Sequence, residues 1–139
     1  MYELTGRKYV LPTEAQWEYA ARGGAKSKGY KYSGSDDIDE VAWYYDNSEY
    51  STHPVGLKKA NELGLYDMSG NVQEWCKDWY DSYSGEAQTD PVGSETGSNR
   101  VLRGRGWNSG ARYCRVSCRG NDTPSSHVSY EGFRLVLLP

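Results

Sequence analysis

The sequence has no long hydrophobic run and few cysteines. No stretch of about 18 apolar residues occurs, so no segment is predicted to span a bilayer. Residues 1–15 lack the apolar core of a secretory signal peptide. The three cysteines are an odd number, which argues against a disulfide framework and favours a reducing compartment. We therefore expect a cytoplasmic location by default, while display on a cell surface or a phage particle stays open.

Phenylalanine is scarce and the net charge is small. One Phe stands beside 13 Tyr and 5 Trp, so we expect a core built on large rings with polar tips. The net charge of −3 gives no electrostatic reason to expect nucleic acid or an anionic membrane as a partner. The length of 139 residues predicts a single domain over 1–139.

One helix and several short strands are predicted. In LPTEAQWEYAARGG, Thr13 can cap a helix, Gln16 completes a capping box and Gly23 stands where the helix should end. The stretches NVQEWCKDWY, RVLRG, CRVS and GFRLVLLP predict strands, the last most strongly. Residues 26–62 and 81–99 are typical of loops. The pattern is α+β with long loops, and long ordered loops usually carry function.

The turn GLYDMSGNVQEW, residues 64–75, is rich in oxygen donors. The carboxylates of Asp67 and Glu74, with carbonyls near Gly70 and Val72, match the oxygen ligands of a hard cation such as Ca²⁺. An ordinary Asx-type turn with a solvated glutamate fits the same residues. Both interpretations stay open from the residues alone.

Cys114 and Cys118 lie four residues apart. On a strand this spacing is about 13 Å, beyond the reach of a disulfide. No second Cys/His pair accompanies them, which argues against structural zinc. His53 and His127 are isolated in sequence, so a catalytic Cys–His pair stays open but nothing local requires it.

The run from Asn108 to Tyr130 is rich in Asn, Ser, Gly, Asp and Tyr. Ser, Gly and Asn supply adaptable hydrogen bonds, and Tyr supplies broad contact area at small entropic cost. This mixture is typical of antibody-type binding loops. A plain solvent-exposed loop has the same composition, so both readings stay open.

Five motifs carry a resemblance to a known family. LPTEAQWEYAARGG, HPVGLKKANELGLYDMSGNVQEW, DWY, RVLRG…W and NDTP…GFRLV follow, in order, the signatures of the formylglycine-generating-enzyme (sulfatase-modifying factor) domain. The resemblance covers nearly the whole chain and implies an α+β domain with a variant of the C-type lectin fold. The family's usual opening segment is not found before Met1, so we expect a truncated or minimal version.

The resemblance implies a metal site in the 64–75 turn. The family binds Ca²⁺ through the loop that this turn matches, with two side chains and two carbonyls as ligands. We therefore expect structural calcium at Asp67, Gly70, Val72 and Glu74.

The resemblance also implies a copper site that is incomplete here. The family's enzymes use two cysteines five residues apart to bind copper and oxidise a sulfatase cysteine to formylglycine. Cys114 matches the second cysteine, but Ser109 stands in place of the first. A hydroxyl is a poor ligand for Cu(I), which prefers thiolates. We expect no catalysis, and a copper-dependent oxidative enzyme using Cys114 is the alternative.

The C-terminal stretch resembles the variable proteins of diversity-generating retroelements, which display a mutable ligand-binding surface on this fold. Template adenines are randomised in those systems, often in AAC codons, and a residue reached by changing only the two adenines of an AAC codon needs a codon ending in C. No Lys, Gln, Met or Trp occurs among the fitting positions, and Glu131 is the first nearby residue to break the rule. The fitting positions are Asn108, Ser109, Gly110, Tyr113, Cys118, Gly120, Asn121, Asp122, Ser126, His127, Val128, Ser129 and Tyr130.

The residues between these positions are expected to form a scaffold. One departure concerns Arg105, because the family usually reads Gly-Gly-Ser-Trp where this chain has Gly104-Arg105-Gly106-Trp107. A Gly-to-Arg change does not fit adenine-only variation. The expected scaffold residues are Trp107, Arg112, Cys114, Arg115, Arg119, Pro124, Gly132 and Phe133.

The predicted function is therefore recognition by a hypervariable surface over about 105–131. The predicted ligand is a protein, with a glycan as the alternative, and the sequence does not specify an oligomeric state. A degenerate domain that binds nothing is a further alternative. Contact area is assigned to Tyr113, His127 and Tyr130, and polar specificity to Asn108, Ser109, Asn121 and Asp122.

Overall fold

Short helices and short strands separated by long loops make up the fold, which confirms the predicted α+β class. The computed structural model describes residues 6–138, and no helix in that range is long and apolar enough to cross a membrane. The elements in chain order are β1 (Tyr9–Val10), α1 (Glu14–Ala21), a 3₁₀ turn (Gly24–Lys26), α2 (Ile38–Val41), β2 (Gln73–Trp79), β3 (Arg100–Arg103), a second 3₁₀ turn (Ala111–Cys114), β4 (Arg119–Asp122), β5 (Glu131–Gly132) and β6 (Val136–Leu137).

Helix α1 begins and ends as predicted. The Thr13 hydroxyl accepts from Gln16 N at 3.2 Å, and Gln16 Oε1 accepts from Thr13 N at 2.9 Å, which completes the capping box. Gly23 follows the helix with a left-handed φ of 90°, a conformation that glycine adopts without strain. Trp17 and Ala21 form the buried face. The local signals in this stretch are sufficient to specify the helix.

A four-stranded sheet in the order β4-β3-β2-β5 supports the C-terminal segment. The β3 strand pairs antiparallel with β2 and β4, whereas β5 lies parallel to β2. Strands β1 and β6 form a separate antiparallel pair. Because β4 is an edge strand, Asn121 and Asp122 lie at the rim of the sheet.

Two clusters of buried side chains form the core. One lies between α1 and the sheet and contains Trp17, Ala21, Met68, Cys76, Val101 and Val116. The other lies beneath the second 3₁₀ turn and contains Tyr32, Val41, Ala42, Tyr44 and Cys114. Large rings contribute as expected, but aliphatic and sulfur-containing side chains fill the space between them.

Three secondary-structure predictions are wrong in part. Residues 114–117, predicted as a strand, form the end of the second 3₁₀ turn and the bend after it, and Arg103 donates to the Val116 carbonyl there. GFRLVLLP contributes only Gly132 and β6 to strands, and Arg134 between them binds Glu74. The predicted loop 26–62 contains α2, which Asp37 caps by accepting from Asp39 N at 3.0 Å.

Candidate ligand-binding site

The segment 105–131 presents most of the predicted variable side chains to solvent. Twelve of the thirteen predicted positions are exposed or half-buried, and Tyr113 is 45% exposed. Gly120 is the buried one. Of the expected scaffold residues, Cys114 is buried and Trp107, Arg119 and Gly132 are half-buried. Arg112, Arg115, Pro124 and Phe133 are exposed and do not contribute to the core.

The structure brings some of these positions together around Arg105 and Gly106. Asn108, Ser109, Gly110 and Tyr113 line an open pocket of about 260 Å³ with Arg105. Tyr130 and Asn108 both approach Gly106, within 3.0 and 3.3 Å of where a β-carbon would stand.

The remaining variable positions lie further along the chain. Asn121 and Asp122 are on the edge strand β4, and Asn121 Oδ1 accepts from Asn99 Nδ2 at 2.6 Å. Ser126–Ser129 belong to the loop between β4 and β5, where His127 Nδ1 and Ser125 O are 2.8 Å apart. The predicted surface thus consists of a pocket, a sheet edge and a loop.

At three of the predicted variable positions, the main-chain carbonyl accepts a hydrogen bond from a residue outside the predicted set. These hydrogen bonds end on backbone carbonyls and make no use of the variable side chains. They run from Tyr45 N to Ser109 O (3.0 Å), from Arg103 Nε to Cys118 O (3.0 Å) and from Gln73 N to Tyr130 O (2.8 Å). These three hydrogen bonds can therefore persist when the side chains at those positions change, because every residue carries a backbone carbonyl.

A buried ion network holds this segment against α1. Arg103 is fully buried and donates to Glu14 Oε1 at 2.8 Å and to Glu18 Oε2 at 2.6 Å. Its Nη2 also donates to Val116 O at 2.6 Å. Arg119 donates to both Glu14 oxygens at 2.7 Å. Buried charges are stable only when paired and hydrogen-bonded in this way.

The two cysteines occupy different environments. Both Cys114 and Cys118 are free, and neither is on a strand as the spacing argument assumed, because Cys114 ends the 3₁₀ turn and Cys118 precedes β4. Burial raises the pKa of the Cys114 thiol to about 12. The thiolate, which is the form that binds metals and acts as a nucleophile, is therefore scarce at neutral pH. With Ser109 in the pocket, the pair does not fit copper.

The predicted calcium ligands fit an ion only in part. Asp67 Oδ2 accepts from Gly56 N at 2.7 Å, while Asp67 Oδ1 is buried and has no hydrogen-bond partner within the described range 6–138, as expected of a free metal ligand. Glu74 is already neutralised, because Arg134 donates to its oxygens at 2.6 and 2.7 Å. A calcium ion would have to share Glu74 with this guanidinium. Calcium at Asp67, Gly70, Val72 and Glu74 stays a prediction.

The histidines serve local packing. His53 stacks on Trp43 with ring centroids 3.8 Å apart, and its Nε2 lies 2.8 Å from Ser48 O. His127 is on the β4–β5 loop and contacts Ser125 O. Neither is recorded in hydrogen-bond contact with Cys114, so the Cys–His alternative gains no geometric support.

A larger cavity of about 940 Å³ lies elsewhere, between α1 and the loop 81–94. Its walls include Glu14 and Glu18, which are already paired with Arg103 and Arg119. These carboxylates contribute to the scaffold, so the smaller pocket beside Arg105 is the better candidate for recognition.

Sequence reasoning missed two features of the site. The Glu14–Arg103 pair has no local signal, because the partners are 89 residues apart. Arg105 lines the pocket, and the one signal for it was its departure from the family's glycine.

Comparison with known proteins agrees with this architecture. Residues 3–138 match the family described as sulfatase-modifying factor enzyme 1-like domains. The structure of Treponema denticola variable protein 1 is 45% identical with a TM-score of 0.88, over 96% of this chain and 49% of that chain. This similarity confirms the predicted C-type-lectin-like fold and the relation to variable proteins.

Two curated relatives have other descriptions. The chaperone protein LppX of Paenibacillus barcinonensis is 40% identical over 92% of this chain and 49% of its own length. The formylglycine-generating enzyme of Streptomyces coelicolor is 39% identical over 89% of this chain and 45% of its own length. The chain therefore spans about half the length of the curated relatives it matches.

Proposed function

The chain belongs to the sulfatase-modifying factor enzyme 1-like domain family, and within it we propose a non-enzymatic ligand-binding protein that displays a variable surface. The observation that carries this proposal is that, in segment 105–131, most of the predicted variable positions face solvent while other residues hydrogen-bond to the main chain. Twelve of the thirteen predicted variable positions are exposed or half-buried, while Tyr45, Gln73 and Arg103 donate hydrogen bonds to main-chain carbonyls at three of them. Such a face can change its chemistry without changing its fold.

The electrostatics of the cysteines support a role without catalysis. Burial raises the pKa of Cys114 to about 12, so this thiol is protonated at neutral pH. Ser109 supplies a hydroxyl where copper chemistry would need a second thiolate. Both features weaken the alternative of a copper-dependent oxidative enzyme.

The composition of the face favours a protein as the ligand. Tyr113 and Tyr130 offer amphipathic rings, and Asn108 and Asn121 offer both hydrogen-bond donors and acceptors. Aromatic contact area surrounded by adaptable polar groups is typical of protein-binding loops. A glycan is the second candidate ligand.

The coding DNA tests the variable-surface proposal. We expect the thirteen positions in codons ending in C or T, with a near-copy template repeat and a reverse-transcriptase gene nearby. The differences between gene and template should fall at template adenines. If the codons do not fit, or no template and reverse transcriptase lie nearby, the proposal fails.

An activity assay tests the enzymatic alternative. The protein is incubated with copper and a cysteine-containing sulfatase peptide, and aldehyde in the peptide is measured by mass spectrometry. The formylglycine-generating enzyme of Streptomyces coelicolor serves as the positive control. We expect no aldehyde from this protein, and copper-dependent aldehyde formation that requires Cys114 would overturn the proposal.

A further inference from the structure

Arg105 adopts a backbone conformation that does not suit arginine. Its φ is +58°, in the left-handed region that favours glycine. On backbone grounds alone, glycine would be the more stable choice at this position. Residues kept in such conformations cluster at functional sites, where the surrounding structure holds them in place. The side chain of Arg105 is therefore a candidate for a specific role.

The Arg105 guanidinium does not use all of its hydrogen-bond donors within the described residues. Its Nη2 donates to Arg119 O at 2.9 Å, but its Nε is buried and has no hydrogen-bond partner among residues 6–138. An arginine carries five N–H donors in a planar fork. A buried donor without an acceptor is costly, so an acceptor that reaches Nε from the adjoining pocket, after a small shift of the pocket lining, would be bound favourably.

The other residues that line the pocket beside this guanidinium carry no negative charge. Asn108, Ser109, Gly110 and Tyr113 complete the pocket lining, and none of them is a carboxylate. The volume of about 260 Å³ is smaller than pockets for drug-sized ligands and suits a single side chain. The pocket is thus a small, cationic, donor-rich depression in a protein whose net charge is −3.

Gly120 permits the guanidinium to occupy this position. A β-carbon at residue 120 would stand 3.1 Å from Arg105 Nη1 and 3.2 Å from its Cζ. These contacts are tighter than ordinary van der Waals distances, so a larger residue would push the guanidinium aside. Arg105 and Gly120 therefore act as a pair.

We propose that Arg105 anchors the carboxylate of an acidic side chain on a protein partner, in the pocket formed with Asn108, Ser109 and Tyr113. This inference rests on the proposed ligand-binding function and specifies the chemistry of its ligand. Arginine binds carboxylates through paired hydrogen bonds that neutral donors cannot match. Tyr113, 45% exposed at the pocket, packs beside the bound side chain.

The test uses two matched small probes and ¹⁵N-labelled protein. N-acetyl-aspartate amide carries only a side-chain carboxylate, and N-acetyl-asparagine amide is its neutral isostere. The Arg105 Nε–H resonance, assigned by its loss in Arg105→Lys, reports binding. We expect a saturable shift with the acidic probe and none with the neutral one.

Variants of the protein locate the effect. Arg105→Gln should weaken the dissociation constant of the acidic probe at least about tenfold, because charged hydrogen bonds are lost. Gly120→Ala should weaken it by displacing the guanidinium, and its effect should vanish in an Arg105→Gly background. Arg115→Gln removes an exposed arginine of the same segment outside the pocket lining, and we expect unchanged binding.

The outcomes distinguish this inference from the proposed function. The carboxylate anchor is overturned if the acidic probe binds the parent protein and Arg105→Gln equally. It is also overturned if the parent binds only N-acetylglycine, which carries a terminal carboxylate, or only inorganic phosphate. If the template repeat is found and the acidic probe does not bind, the carboxylate anchor fails and the variable surface stands. If the repeat is missing and the acidic probe binds at Arg105, the variable-surface proposal fails and the carboxylate anchor stands.

Discussion

Replacing Glu14 with glutamine tests whether the buried ion network holds the candidate binding segment. Glu14 Oε1 accepts from Arg103 at 2.8 Å, Arg119 at 2.7 Å and Tyr83 at 3.1 Å. Glutamine keeps the shape but removes the charge and points an NH₂ group at guanidinium donors. Removing one partner of a buried ion pair costs about 3–5 kcal/mol. For a chain of this length we expect the melting temperature to fall by about 10–20 °C.

The assay combines equilibrium unfolding with limited proteolysis. Guanidinium unfolding followed by tryptophan fluorescence gives the free energy of unfolding. Proteolysis reports whether residues 115–122 become accessible while the rest stays folded. The matched control is Arg22→Gln, which breaks the exposed pair with Glu18 (2.7 Å) and should cost only about 0.3–0.5 kcal/mol. If Glu14→Gln costs no more than this control, the network does not anchor the segment.

The pH, metal and loop responses of the protein give three further predictions. Burial alone would raise the pKa of Glu18, but hydrogen bonding and charge from Arg103, and then from Arg22, hold that pKa below its ordinary value of 4.5. The stabilisation from ionised Glu18 is present above pH 4.5 and is lost as the pH falls through its lower pKa in the folded protein. In urea unfolding, Glu18→Gln should therefore be less stable than the parent protein at pH 7 and equally stable at low pH. A gap that persists in acid would contradict this. Calcium should raise the melting temperature of the parent protein but not of Asp67→Asn, which keeps an acceptor for Gly56 N; no response to chelator would indicate an empty site. In thermal melts, Asn121→Ser and His127→Asn should change the free energy of unfolding by less than about 0.5 kcal/mol, because both side chains are exposed. Cys114→Asn should lower that free energy by several times as much, because it places a polar amide in the core.

The features predicted correctly from the sequence are those with local signals. Helix α1 has its cap at Thr13, its capping-box partner at Gln16 and its terminating glycine within a dozen residues. Twelve of the thirteen positions that fit the codon rule are exposed or half-buried, and their variability stays a prediction. The helix is specified by residues that lie next to one another in the sequence.

The features missed depend on contacts between distant residues. Residues 114–117 are predicted as a strand, but the Val116 carbonyl accepts from Arg103 and the Val116 N–H donates to Lys31 O, so distant residues use the groups that a ladder would need. Gly120 fits the codon rule, yet it is buried because Arg105 lies over it. None of these contacts can be predicted from the residues next to it in the sequence. Residue propensity and hydrophobic periodicity therefore predict the helices and strands of this domain better than the long-range contacts between them.

The carbonyl-directed hydrogen bonds have a thermodynamic consequence for recognition. A backbone carbonyl is the same for every amino acid, so the contacts from Tyr45 to Ser109 and from Gln73 to Tyr130 do not depend on which side chains those positions carry. The conformational entropy of ordering the loop is lost once, during folding. A ligand then meets a loop whose path is already fixed, and little further ordering opposes association. Different versions of the surface should therefore differ in affinity through side-chain contacts alone, each starting from the same entropic baseline.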